Sequence, residues 1–289
     1  RVWSDDLTDT GIATASAPTF TTEFAMTIAT TGANETFTIP CQNGGTFNAG
    51  IEWGDGSVST VTSYNDANMT HTYATAGDHL IRIRGIFPNF YFNNAGDKLK
   101  LKSVENLGIV GWQSLQRAFY GCANMTSFTA GTTDTSSITT MFRMLRGCTN
   151  LTSIDLIGFD TSSVTNMSFM FQQSSNITLL DVSSFDTSSV TNMANMFFGC
   201  SGLTSIVGIE DFDISGLNST GDLANFISGG RMTTAQYDAL LINWDALTVF
   251  AGMSPDFGVS TYTGGGTAAT ARANLISSDG WTITDGGTA

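Results

Sequence analysis

Along the second half of the chain, apolar positions return at a fixed interval. Phe119, Leu145, Phe171 and Phe197 stand 26 residues apart, and Met125, Leu151, Ile177 and Leu203 keep the same step. Cys122, Cys148, Ser174 and Cys200 fall on the grid too, as does DTSS at Asp134–Ser137, Asp160–Ser163 and Asp186–Ser189. A period of this length marks one unit of a stacked repeat, because no single unit buries its apolar face alone. Within a unit, Leu151–Leu156 alternates apolar and polar residues and predicts a strand, with counterparts at Ile177–Val182 and Leu203–Ile209. After each DTSS, the apolar side chains of Val164, Met167, Met170 and Phe171 follow helical spacing, with Thr161, Ser162 and Ser163 as candidate caps, and predict a short helix. Polar turns at Gly121–Asn124, Gly147–Asn150 and Gly199–Gly202 close the units.

Upstream, period-two alternation predicts strands at Phe24–Ala29, Glu35–Pro40, Gly50–Trp53, Ser57–Ser63 and His79–Arg84. The run from Lys98 to Lys102 alternates charge and leucine, which predicts one joining strand with Leu99 and Leu101 facing the first repeat and the lysines on an open edge. Downstream, Tyr237, Leu240, Leu241, Trp244 and Leu247 predict a helix over Thr233–Leu247 that covers the end of the repeats. A shorter helix over Ala268–Ile276 and a strand over Trp281–Thr284 follow.

Charge changes the picture more than size does. Of 289 residues only 12% are charged, and 25 acids against 11 bases leave a net charge of −14. The sequence predicts no basic surface on which phosphates could be neutralised, so nucleic acid is not expected as a partner. No apolar run approaches the ~18 residues of a membrane helix, so membrane insertion is not expected. A first residue of Arg1 rather than Met reads as a processed start that would hide any secretion signal.

Several motif positions agree in three or four copies, and LTSIDL…FDTSSVTNMSFMF gives residues ~100–230 a resemblance to bacterial surface leucine-rich-repeat-like proteins of the BspA type. Trp53-Gly54-Asp55-Gly56-Ser57, followed by His71-Thr72-Tyr73 and Gly77, resembles the polycystic-kidney-disease (PKD) type of immunoglobulin-like domain. The C-terminal tail is similar to ends of bacterial surface proteins and phage structural proteins. Together these resemblances imply a multidomain fold: an all-β immunoglobulin-like sandwich, then a short strand-and-helix solenoid with a helical C-terminal cap. The expected divisions are a segment over 1–19, the sandwich over 20–87, a connecting strand over 88–106, a solenoid of about four repeats over 107–230 and an α+β cap over 231–289.

Candidate chemistry is sparse. The two histidines, His71 and His79, both lie in the expected sandwich, and no GxSxG, HExxH, P-loop or GxGxxG occurs. Stacking brings Asp134, Asp160 and Asp186 into a ladder of carboxylates, which reads as capping of the following turn, with a bound calcium as the alternative. No catalytic residue and no cofactor other than such a calcium is expected. Cys122, Cys148 and Cys200, with Phe119, Phe171, Phe197, Leu151 and Leu203, read as the structural repeat. A Cys122–Cys148 bridge is geometrically open, but a serine in the third slot favours free thiols. The expected function is a non-enzymatic structural or adhesion protein, extracellular and displayed on a cell surface or virion, with a protein or glycan, or further subunits of an assembly, as partner. The alternative is a carbohydrate-active enzyme or its targeting module.

Overall fold

Strand β1 (Phe24–Thr30) organises the molecule because both of its edges are taken. The computed structural model describes residues 22–289, so the expected segment over 1–19 lies outside the described residues. Phe24, Met26 and Ile28 are fully buried, as is Ala25 on the opposite face, which is the pattern of a strand covered on both sides. After β2 (Glu35–Thr38) come β3 (Asn48–Glu52), β4 (Val58–Val61), β5 (Thr70–Tyr73) and β6 (Gly77–Ile86). One edge of β1 pairs antiparallel with β6, and the other pairs antiparallel with β7 (Leu101–Asn106). The sheet then continues in parallel through β8 (Ser127–Thr129) and β9 (Ser153–Asp155), giving seven strands in the order β4-β3-β6-β1-β7-β8-β9. Strands β2 and β5 form a two-stranded sheet, as do β10 (Leu179–Asp181) and β11 (Ser205–Val207).

This arrangement overturns the expected fold class. The upstream strands do form, close to their expected bounds, but no immunoglobulin-like sandwich results. Strand β7 occupies the free edge of β1 and carries one mixed sheet across residues 88–106 into the repeats. Nor do the repeats form a strand-and-helix solenoid, since none of them contains an α-helix and the one short 3-10 turn, Ile209–Asp211, follows a strand rather than a DTSS motif. The physical reason lies in the backbone. In the segment expected to be helical, N–H groups donate forward to the next repeat, Leu145 to Met170 and Phe171 to Met196, each at 2.9 Å. A helix would need those donors for its own carbonyls four residues back. The apolar spacing comes instead from successive tight turns, in which Val164 N–H donates to Thr161 and Met170 N–H to Met167. Phe169, between those apolar positions, has φ of 61°, in the left-handed region that no right-handed helix admits.

The joining segment also differs from expectation. Lys98–Lys100 is a single 3-10 turn, and Leu99 is 52% exposed while Leu101 is buried. Local acids set this turn: Lys100 Nζ lies 3.0 Å from Asp97 and 3.1 Å from Glu35, and Lys102 Nζ lies 2.7 Å from Asp78. Downstream, α1 (Thr234–Asp245) begins at a capping box in which the Thr233 hydroxyl accepts from Gln236 N–H while the Gln236 side chain accepts from Thr233 N–H. Its Tyr237, Leu240, Leu241 and Trp244 are buried, and the Trp244 indole donates to the Phe212 carbonyl of the last repeat. Helix α2 (Thr267–Ser277) follows, whereas the strand expected over Trp281–Thr284 is reduced to an isolated bridge between Asp256 and Thr284.

One contiguous apolar core runs from Phe24 to Trp281. Within it Phe171 and Phe197 stack with centroids 5.5 Å apart and planes 4° from parallel. Phe171→Ala is expected to destabilise the protein by about 3–5 kcal/mol, because neighbouring repeats cannot collapse into the cavity without breaking their shared ladder. Chemical denaturation of the two proteins measures this directly.

Candidate binding face

The DTSS motifs build one corner of each repeat. Asp134 Oδ1 accepts from the Ser136 N–H at 3.1 Å and hydroxyl at 2.7 Å, and Asp160 and Asp186 repeat the turn with Ser162 and Ser188. The buried threonine beside each aspartate ties the corners together. Thr135 Oγ1 donates to the Asp160 carbonyl at 2.9 Å and accepts from Asp160 N–H at 2.8 Å, and Thr161 does the same to Asp186. Hydrogen bonds from the Ser136 hydroxyl and N–H hold the Asp134 carboxyl below the usual carboxylate range, and Ser188 does so for Asp186. Among the described residues, no group of three or more His, Cys, Asp or Glu side chains is placed to hold a metal ion.

The cysteine grid has a polar function that sequence reading missed. Cys148 Sγ donates to the Phe119 carbonyl at 3.2 Å and Cys200 Sγ to the Phe171 carbonyl at 3.0 Å. Between them Ser174 Oγ donates to the Leu145 carbonyl at 2.7 Å. What the slot requires is a small buried donor, which explains why Ser174 can stand where the other repeats have cysteine. All four cysteines are free, so Cys122 and Cys148 are not bridged, and burial pushes the Cys200 thiol up to about 12.

His71 and His79 are held inside the upstream strands. His71 stacks on Trp53 at 5.0 Å and places Nε2 2.8 Å from Asp55 Oδ2, in the turn between β3 and β4. Tyr73 donates its hydroxyl to the Trp53 carbonyl and stacks on His79, whose Nε2 meets Thr30 Oγ1 at 3.0 Å. Burial alone would raise the Asp55 carboxyl, but the bonds from His71 and Ser57 outweigh it and bring it down to about 2.

A second corner carries an arginine–aromatic cluster that none of the repeat motifs signals. Tyr91, Arg117, Arg143 and Phe169 are consecutive members of one 26-residue column, and Tyr120 and Arg146 belong to another. The guanidinium of Arg117 lies 5.1 Å from the Phe142 ring centre. That of Arg143 lies 4.6 Å from Phe142 and 5.0 Å from Phe169, and that of Arg146 lies 4.9 Å from Tyr120 and 5.7 Å from Phe169. All are half-buried. The signal was present in the sequence as arginine recurring at the repeat interval in a chain with only 11 cationic side chains.

Residues 113–228 match the family described as Mycoplasma protein of unknown function, DUF285. The match covers the repeats on which the BspA-type resemblance rests and leaves out residues 20–87, where the PKD-type resemblance lay. No curated protein and no solved structure matches the chain.

Two outcomes test these local assignments. Ser174→Ala should cost about 1–3 kcal/mol by leaving the buried Leu145 carbonyl unpaired, whereas Ser174→Cys should cost less; equal losses in denaturation would contradict the shared-donor account. The folded pKa of Asp55 lies below its ordinary value, so the stability it adds is present above that value and is lost as the pH falls from 3.8 towards about 2. Asp55→Asn should flatten the curve of stability against pH within that window.

Proposed function

We propose that this chain is a non-catalytic protein displayed on a cell surface or virion, presenting its stacked corners to a protein or glycan partner or to further subunits of an assembly. The observation that carries the reading is that Asp134, Asp160 and Asp186 sit in equivalent turns, each accepting from the serine two residues on. Acid–base chemistry needs two groups whose environments push their proton affinities apart. Here Asp134 and Asp186 are both drawn downward by the same local donors, and neither is held protonated as a general acid would be. This weighs against the carbohydrate-active alternative. Display is supported by the match to DUF285 over the repeats and by the resemblance of those repeats to bacterial surface proteins. No helix among the described residues is long and apolar enough to cross a membrane.

External protease applied to intact cells or particles that carry the chain is expected to remove it while an internal marker survives. Purified protein incubated with a panel of polysaccharides should release no reducing ends. Turnover that disappears in Asp160→Asn, or a chain that survives external protease, would overturn the proposal.

A further inference from the structure

We infer that the arginine–aromatic corner is a binding site for an acidic glycan, a linear polysaccharide bearing carboxylate or sulfate groups. The inference rests on the surface-display reading and names the ligand class of that surface. Three observations converge on it. First, the cations are uncompensated. Arg82 and Arg84 pair with Glu23 and Glu52, Lys100 with Glu35 and Asp97, Lys102 with Asp78, and Arg272 with Asp285. Yet among the described residues no carboxylate lies within salt-bridge distance of Arg117, Arg143 or Arg146, in a chain of net charge −14. Burial, together with repulsion from Arg146 and Arg117, draws the pKa of Arg143 downward, and an anion placed among the three would relieve that repulsion.

Second, the guanidinium planes are packed on the rings of Phe142, Phe169 and Tyr120, and the Nε atoms of all three arginines are buried without a hydrogen-bond partner. Ring packing fixes the donors and limits the ordering entropy that anion binding must overcome. Third, the backbone positions are costly for these residues. Arg117, Arg143 and Phe169 adopt φ of 55°, 56° and 61°. The next member of the column is Asn195, and Asn225, 30 residues further on, stacks on it through a side-chain hydrogen bond; asparagine is the residue type that tolerates the left-handed region best after glycine. Bulky side chains kept at such positions in three successive repeats point to a role for the side chains themselves.

The spacing selects the class of ligand. Repeats lie ~4.8 Å apart in the ladder direction, so the arginines form a short row suited to a polymer with regularly placed anions. A peptide captured by strand addition needs free backbone donors, and these are already committed: Arg117 donates to Phe142, Arg143 to Ser168 and Phe169 to Ala194. Recognition therefore falls to side chains.

The test is calorimetric titration of the full chain with heparin (sulfated), polygalacturonate (carboxylated), neutral dextran and polyglutamate. Binding of heparin or polygalacturonate but not dextran is expected, and which of the two is bound distinguishes sulfate from carboxylate. Combined Arg143→Gln and Arg146→Gln should weaken that binding about tenfold or more. Combined Lys98→Gln and Arg231→Gln, the same change in net charge elsewhere, should leave it nearly unchanged. A melting temperature for each variant separates lost binding from lost folding. No binding to either acidic glycan, equal loss in both double variants, or polyglutamate bound as tightly as the glycans would overturn the assignment, the last in favour of an acidic peptide. Because the protease test on intact cells is independent of these titrations, failure here with the chain still removed from outside overturns the ligand class alone.

Discussion

The hydrogen bond from one repeat to the next is the interaction on which this molecule depends. Each repeat is too short to enclose a core, and its turns are rich in backbone groups that water would otherwise have to satisfy. Stacking resolves both at once. Successive turns donate forward, Leu145 to Met170 and Phe171 to Met196, while Thr161 reaches the Asp186 carbonyl of the next repeat, Thr165 the Thr139 carbonyl of the preceding one, and Phe171 packs flat on Phe197. Because the ladder is parallel and continuous with β7, the upstream strands and the first repeats share one sheet. At the far end α1 closes the stack, with the Trp244 indole satisfying a carbonyl at Phe212.

The same constraint explains what could and could not be read in the sequence. The repeat interval and the inward positions of Phe119, Leu151, Phe171 and Phe197 are legible because burial alternates at a rhythm that sequence displays directly, and all four are buried. Helix α1 is legible because Thr233 and Gln236 spell a capping box ahead of an apolar stripe. The short helix expected after each DTSS does not form, because tight turns share its apolar period. Three-residue turns place Val164, Met167 and Met170 on one side as a helix would, and the partners of the N–H groups, with the left-handed φ of Phe169, distinguish the two. The immunoglobulin-like sandwich failed for a non-local reason. Nothing in Phe24–Thr30 itself says that its second edge will be filled by Leu101–Asn106, some seventy residues on.

Function divides along the same line. Where the chain repeats itself, as at the DTSS corner, side chains are consumed by the structure: carboxylates accept from their own turns and threonines clamp the next repeat. Where a column departs from the residue its backbone prefers, as at Arg117, Arg143 and Phe169, the two arginines keep Nε donors without a hydrogen-bond partner. The sequence holds both kinds of information, but only spatial stacking separates them, because it shows which repeated residues already have partners.

The central claim is that 26 residues constitute one interchangeable layer of hydrogen bonds, as the Thr191–Thr165 and Thr204–Thr178 bonds across that interval express. Deleting residues 160–185 removes one such layer and joins Phe159 to Asp186, the structural equivalents of Phe185 and Asp160. Thermal unfolding of this deletion protein is the most direct measurement. A single cooperative transition at a moderately lower temperature is expected, because every remaining donor finds the corresponding acceptor in its new neighbour. Loss of cooperative unfolding in a protein shortened by this one layer would contradict it.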